Sequence, residues 1–96
     1  MFRHCVLFRF KDSVTAETIE AIEAALHGLR QLPMVRRYEF GCDAVLAEGN
    51  FDFALVADFD DQTGYEAYAQ DPEHQRVLAE MLRPNIAERA AVQYAL

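Results

Sequence analysis

The feature that most constrains the fold is an alternating segment at the start of the chain, residues 2–10, in which both faces carry apolar side chains. Alternation with a period of two predicts a β-strand. One face holds Phe2, His4, Val6, Phe8 and Phe10, and the other holds Arg3, Cys5, Leu7 and Arg9. A strand with apolar residues on both faces needs cover on both sides of its sheet.

Four further segments show the spacing of regular elements. Thr15 is predicted to cap a helix whose apolar residues recur at helical spacing until Pro33. Residues 35–43, 51–59 and 90–96 alternate as strands, and the turn between the first two ends in Gly49-Asn50.

Two short helices are predicted between the last two strands. Thr63-x-x-Glu66 has the form of a capping box and is expected to open a helix through residue 70. Asp71 followed by Pro72 is a strong signal for the start of another helix, which should end before Pro84.

This order predicts one α+β domain over residues 1–96 with the ferredoxin-like β-α-β-β-α-β pattern and a four-stranded antiparallel sheet. Helices should cover one face of the sheet. The other face would display Cys5, Leu7 and Val56 to water, and a second copy of the chain would cover it. The sequence therefore predicts a homodimer, which also accounts for a hydrophobic content of 52% in only 96 residues.

Composition excludes several classes of partner. Lys plus Arg number 9 against 16 Asp plus Glu, a net charge of −7, so binding to a nucleic acid is not expected. No secretory signal and no apolar run of membrane-spanning length is evident, which predicts a cytoplasmic protein with no membrane partner. Cys5 and Cys42 lack metal-ligand spacing and are expected to be buried, reduced thiols.

Several motifs follow one another along most of the chain, from Arg3 to Tyr94. They are an early strand histidine in Phe2-Arg3-His4-Cys5-Val6, the tripeptide Gly41-Cys42-Asp43, and Tyr68 followed by Asp71-Pro72-Glu73-His74. In these residues the chain resembles the stress-responsive A/B-barrel (Dabb) family, part of the dimeric α+β barrel superfamily. The resemblance implies a homodimer whose two sheets form a barrel, with a small cavity in each subunit between sheet and helices.

The resemblance also implies roles for particular residues. Where chemistry is known in the family, a cofactor-free aldol condensation of a polyketide uses a His and a Tyr, and these roles fall on His74 and Tyr68. His4 becomes a second polar group of the pocket. Asp71 stands where the plant polyketide cyclase of this family has a His before the Pro, and the substrate of that cyclase does not carry over.

The residues themselves support a similar chemistry. His74 is predicted in the first turn of a helix, where the helix dipole disfavours the imidazolium and leaves a neutral ring that can act as a general base. Tyr68 could donate its hydroxyl to a substrate oxygen as negative charge develops. With His4, Phe8 and Tyr65 as substrate-binding residues, we expect proton abstraction alpha to a carbonyl, as in a cyclase or isomerase, with no cofactor and no metal.

Two other classes of function remain open. The chain could be a non-catalytic homodimer that binds a small apolar or carbonyl-containing ligand, or a stress-associated structural protein, because His4, Tyr68 and His74 also have ordinary structural uses. Neighbouring barrel families that oxidise quinol-like compounds or bind haem supply a third possibility, although no haem-ligand signature is present.

Overall fold

The computed structural model describes all residues of the chain, 1–96. In chain order the elements are β1 (Phe2–Phe10), α1 (Ala16–Leu29), β2 (Arg37–Cys42), β3 (Phe53–Phe59), α2 (Gln62–Gln70), α3 (Pro72–Val77), a π-helical turn (Leu78–Leu82) and β4 (Ile86–Ala95). No helix is both long enough and apolar enough to cross a membrane.

The four strands form one antiparallel sheet in the order β2-β3-β1-β4. The central strand β1 pairs with β3 on one side and β4 on the other, so that Cys5 lies opposite both Val56 and Val92. This connectivity confirms the predicted ferredoxin-like α+β fold.

The helix starts match the sequence in two cases out of three. Thr15 caps α1 by accepting from the backbone N–H of Thr18 at 3.2 Å, and Asp71 caps α3. The predicted capping box at Thr63 is wrong, because α2 begins at Gln62 and its cap is Asp61, which accepts from the N–H of Gly64 at 2.9 Å. The negative charge of Asp61, just before the first turn, also suits the positive end of the helix dipole.

Strand β4 starts at Ile86, earlier than the predicted residue 90. Its first residues pair with the end of β1 across a register shift between Arg9 and Phe10, where Phe10 lies opposite Ile86. This pairing between distant segments extends the strand through a stretch whose own alternation is weak.

The helices cover one face of the sheet and form the core with it. The thirteen buried residues of this core are Val6, Phe8, Ile22, Leu26, Leu29, Tyr38, Phe53, Leu55, Ala57, Phe59, Tyr68, Val77 and Leu82. Neither cysteine is among them. Cys5 is half-buried and Cys42 is exposed, so the prediction that both thiols are buried is wrong.

The opposite face of the sheet, which we call the open face, has no cover within one chain. Leu7 is 40% exposed and Val92 is 58% exposed at its centre. Arg3 and Asp58 form a two-pronged ion pair at 2.7 and 2.8 Å beside them. The centre of the open face is therefore apolar, and the charged side chains of Arg3 and Asp58 beside it are paired with each other.

Candidate functional site

A cavity of about 460 Å³ lies between the sheet and the helices. Apolar side chains make most of its wall, from β1, α1, β3 and the segment after α3. All five residues predicted for the site line it: His4, Phe8, Tyr65, Tyr68 and His74. The remaining lining residues are Val6, Leu26, Leu29, Tyr38, Leu55, Ala69, Leu78, Leu82, Arg83, Ile86 and Arg89.

His74 is held by the turn between α2 and α3. The carboxylate of Asp71 accepts from the backbone N–H of His74 at 3.3 Å, and the ring Nδ1 lies 3.2 Å from the carbonyl oxygen of Ala69. A carbonyl only accepts, so Nδ1 carries the proton and Nε2 has a free lone pair. Burial lowers the pKa of His74, although the hydrogen bond to Ala69 and the charge of Asp71 oppose this.

Tyr68 lies beside the imidazole of His74, with ring centroids 4.2 Å apart. Its hydroxyl is 2.7 Å from the hydroxyl of Tyr38 in the interior. Burial raises the pKa of Tyr38 to about 12 and also raises the pKa of Tyr68. Both phenols therefore keep their protons at neutral pH and form a buried pair next to the base.

His4 enters the same cavity from β1 and is almost fully buried. The side-chain amide nitrogen of Gln93 lies 2.9 Å from Nδ1 of His4 and 3.3 Å from the hydroxyl of Tyr65. An amide NH₂ only donates, so Nδ1 of His4 accepts and Nε2 carries the proton. Burial lowers the pKa of His4 to about 4, assisted by the positive charge of Arg89 and, when its ring is protonated, by that of His74.

The two histidines thus present opposite tautomers. Nε2 of neither ring has a hydrogen-bond partner. Because every fully buried polar side-chain atom of the chain has a partner, both Nε2 atoms keep some accessible surface. His74 offers a lone pair, and His4 offers an N–H. A base and a hydrogen-bond donor facing one apolar cavity suit the movement of a proton on a neutral substrate.

Sequence reasoning missed Tyr38 and Gln93. Gln93 lies directly opposite His4 in the pairing of β1 with β4. Tyr38, in β2, lies opposite Ala57 of β3. Both contacts depend on strand register, which no local pattern gives.

The acidic residues near α2 are engaged in structural roles. Asp58 pairs with Arg3, Asp60 pairs with Arg36 at 2.9 Å, and Asp61 caps α2. No group of three or more His, Cys, Asp or Glu side chains has an arrangement that could hold a metal ion.

Solved structures of similar fold include two dimeric ferredoxin-like proteins of unknown function. The protein from Thermobifida fusca is 45% identical with a TM-score of 0.92, and the match covers 99% of this chain and 90% of that chain. The protein from Bacteroides fragilis is 27% identical with a TM-score of 0.82, covering 99% and 95%.

A hydroxynitrile lyase from Passiflora edulis has the same fold at 19% identity, with a TM-score of 0.87 over 99% of this chain and 92% of that chain. The comparison with curated proteins finds no match. The family model described as Stress responsive A/B Barrel Domain matches residues 2–96. The motifs, the fold and this match agree: the chain belongs to the stress-responsive A/B-barrel (Dabb) family.

Proposed function

We propose that the chain is a cofactor-independent enzyme that removes a proton alpha to a carbonyl group, as in a cyclisation or isomerisation. The observation that carries the proposal is that His74 and His4 line one apolar cavity of about 460 Å³ with opposite partners at Nδ1, a backbone carbonyl for His74 and an amide nitrogen for His4. The hydroxynitrile lyase shares the fold, so enzymatic chemistry is compatible with this architecture.

In the proposed step, Nε2 of His74 takes a proton from the carbon beside the carbonyl. The C–H electron pair moves into a new C=C bond, and the carbonyl oxygen gains negative charge. The N–H of His4 and the hydroxyl of Tyr68 donate to that oxygen. His74 then returns the proton to carbon in an isomerisation, or to the alkoxide formed when the enolate attacks a second carbonyl in a cyclisation.

The surroundings favour this step. Phe8, Leu26 and Leu55 make this part of the cavity wall apolar, so hydrogen bonds to the developing charge act in a lower dielectric than in bulk water. The lowered pKa of His74 keeps its ring neutral at pH 7, which is the form that a general base needs.

The proposal extends to the assembly. The relatives from Thermobifida fusca and Bacteroides fragilis are described as dimeric, and the open face of this chain has an apolar centre that nothing covers. We infer that two copies pack open face to open face, with a complete cavity in each.

The test is deuterium exchange at the alpha carbon of small ketones in D₂O, followed by NMR with 2-nonanone and 4-oxononanoate as probes. We expect the protein to accelerate exchange and His74→Gln to lose at least about 100-fold of that rate. His27→Gln, at an exposed position on α1, is the matched control and should keep the rate.

Equal acceleration by the wild type and His74→Gln would contradict the assignment of the base. Binding of the ketones without exchange would favour the second candidate function, a non-catalytic ligand-binding dimer. The buried hydroxyl pair of Tyr38 and Tyr68 is the observation that favours this second candidate, because it gives Tyr68 a structural partner.

A further inference from the structure

Two arginine side chains at the cavity stand out because they have no partner. The chain has eight arginines, and six of them form ion pairs or hydrogen bonds through their guanidinium groups: Arg3, Arg9, Arg30, Arg36, Arg37 and Arg76. The side chains of Arg83 and Arg89 make neither, and both line the cavity. These two are also its exposed lining residues, which places them at the mouth.

The positions of both arginines follow from the fold. Arg89 lies opposite Phe8 in the pairing of β1 with β4, so it projects from the cavity side of the sheet. Arg83 follows the π-helical turn, and its backbone N–H donates to the carbonyl of Leu78 at 2.9 Å. The two guanidinium groups therefore approach the mouth from different elements, the sheet on one side and the helical layer on the other.

The charge of the mouth contrasts with that of the chain. The net charge is −7, yet no Asp or Glu side chain lines the cavity. The positive charges also reach the interior, since Arg89 contributes to the lowered pKa of His4 and Arg83 to that of His74. An unpaired guanidinium in an acidic protein is a ready receptor for an anion, and its planar fork matches carboxylate and phosphate oxygens.

We propose that the cavity takes a carbonyl compound with an anionic end, whose carboxylate or phosphate is held at the mouth by Arg83 and Arg89 while its apolar part and carbonyl lie inside. The inference rests on the proposed function for the carbonyl and adds the charged end. It narrows the substrate class from ketones in general to keto acids and related anions.

The experiment compares dissociation constants measured by calorimetry for 4-oxononanoate, its methyl ester and the corresponding phosphonate. We expect at least one anion to bind about tenfold more tightly than the ester, a preference that Arg83→Gln and Arg89→Gln each reduce and the double variant abolishes. Arg36→Gln removes a positive charge that is paired with Asp60 and does not line the cavity, and should keep the preference. The tighter of the two anions identifies the end group.

Equal binding of the ester and both anions by the wild type would overturn the inference, as would a preference that survives the double variant. The preference should also persist from about pH 6 to about pH 9, because guanidinium stays protonated. A preference lost above neutral pH would instead assign anion binding to a protonated histidine and overturn the role of the arginines.

These experiments distinguish a failure of the proposed catalysis from a failure of the proposed anion binding. The same three constants measured on His74→Gln report the mouth without the base. If the anion is preferred but no exchange occurs in any variant, the arginine site stands and the proposed enzymatic step does not.

Discussion

His4 and His74 reach the cavity from elements of different kind, a central strand and the first turn of a short helix. Each ring is fixed through Nδ1, His4 by the amide of Gln93 and His74 by the carbonyl of Ala69. The chemical difference between the two rings therefore lies in their partners, since the side chains are identical. A neighbour that only donates and a neighbour that only accepts set opposite tautomers.

The buried state of His4 predicts a pH-dependent stability. Its pKa falls from 6.5 to about 4 on folding, so the unfolded chain binds this proton more tightly. Stability that is present above pH 6.5 is then lost as the pH falls toward 4, and between about pH 7.5 and about pH 5.5 the loss from His4 is about 1 kcal/mol. The lowered pKa of His74 acts in the same direction.

Urea unfolding of the wild type, His4→Gln and His27→Gln at those two pH values measures the effect. We expect His4→Gln to lose less stability on acidification than the other two proteins, because the titrating group is gone. An identical loss in all three would show that His4 titrates alike in the folded and unfolded chain.

The hydroxyl pair of Tyr38 and Tyr68 predicts coupled stabilities. Removing either hydroxyl leaves the other buried without a partner, so Tyr38→Phe and Tyr68→Phe should each lower the free energy of unfolding by about 1 kcal/mol. The double variant should cost less than the sum, because no phenol is then left unpaired. Denaturant unfolding of the wild type, the two single variants and the double variant gives the four free energies of this double-mutant cycle. Strictly additive losses would be evidence against the hydrogen bond between the two hydroxyls.

At the scale of elements, the start of α2 offers a matched test. Asp61→Ala removes the side chain that accepts from the N–H of Gly64, and should lower the free energy of unfolding by about 1 kcal/mol. Thr63→Ala, inside the first turn, should change it little. Thermal unfolding of the two variants compares the caps, and a larger loss for Thr63→Ala would restore the predicted capping box.

Most elements of the fold follow from local patterns. The period of residues 2–10 identifies β1, and Asp71-Pro72 marks the start of α3, since strand alternation and helix caps are read within a few residues. The early start of β4 could not be predicted, because it depends on pairing with β1 beyond a register shift. The cap of α2 was misplaced because Asp61 and Thr63 are both good caps two residues apart.

The site was predictable in part for the same reason. His4 was placed through strand alternation, and Tyr68 and His74 through the helix start and the resemblance. Tyr38 and Gln93 were missed, because each meets its partner only through tertiary contacts: Gln93 through its pairing opposite His4, and Tyr38 through a hydroxyl bond from β2 to α2. The roles of the five predicted residues stay predictions until the exchange and binding experiments are made.

For the whole molecule, a charge placed on the open face should break the proposed dimer. Leu7 lies between Ala54 and Ala90 in the register of the sheet, at the apolar centre of that face. Leu7→Lys should convert a dimer into a folded monomer of 11.0 kDa, because a buried, unpaired charge opposes association. Sedimentation equilibrium measures the mass.

Ala24→Lys adds the same charge at an exposed position of α1, on the other side of the sheet, and should leave the mass of the assembly unchanged. A wild-type chain that sediments as a monomer at micromolar concentration would contradict the proposed dimer directly.

Successive side chains of β1 point to opposite faces of the sheet, so His4 lines the cavity while its neighbour Cys5 belongs to the open face. In a dimer built through the open faces, the two cavities lie on the outside, separated by both sheets, and share no residue. Occupying one cavity leaves the contacts of the other unchanged. The two sites should therefore fill independently, with a hyperbolic saturation curve and a Hill coefficient of about 1.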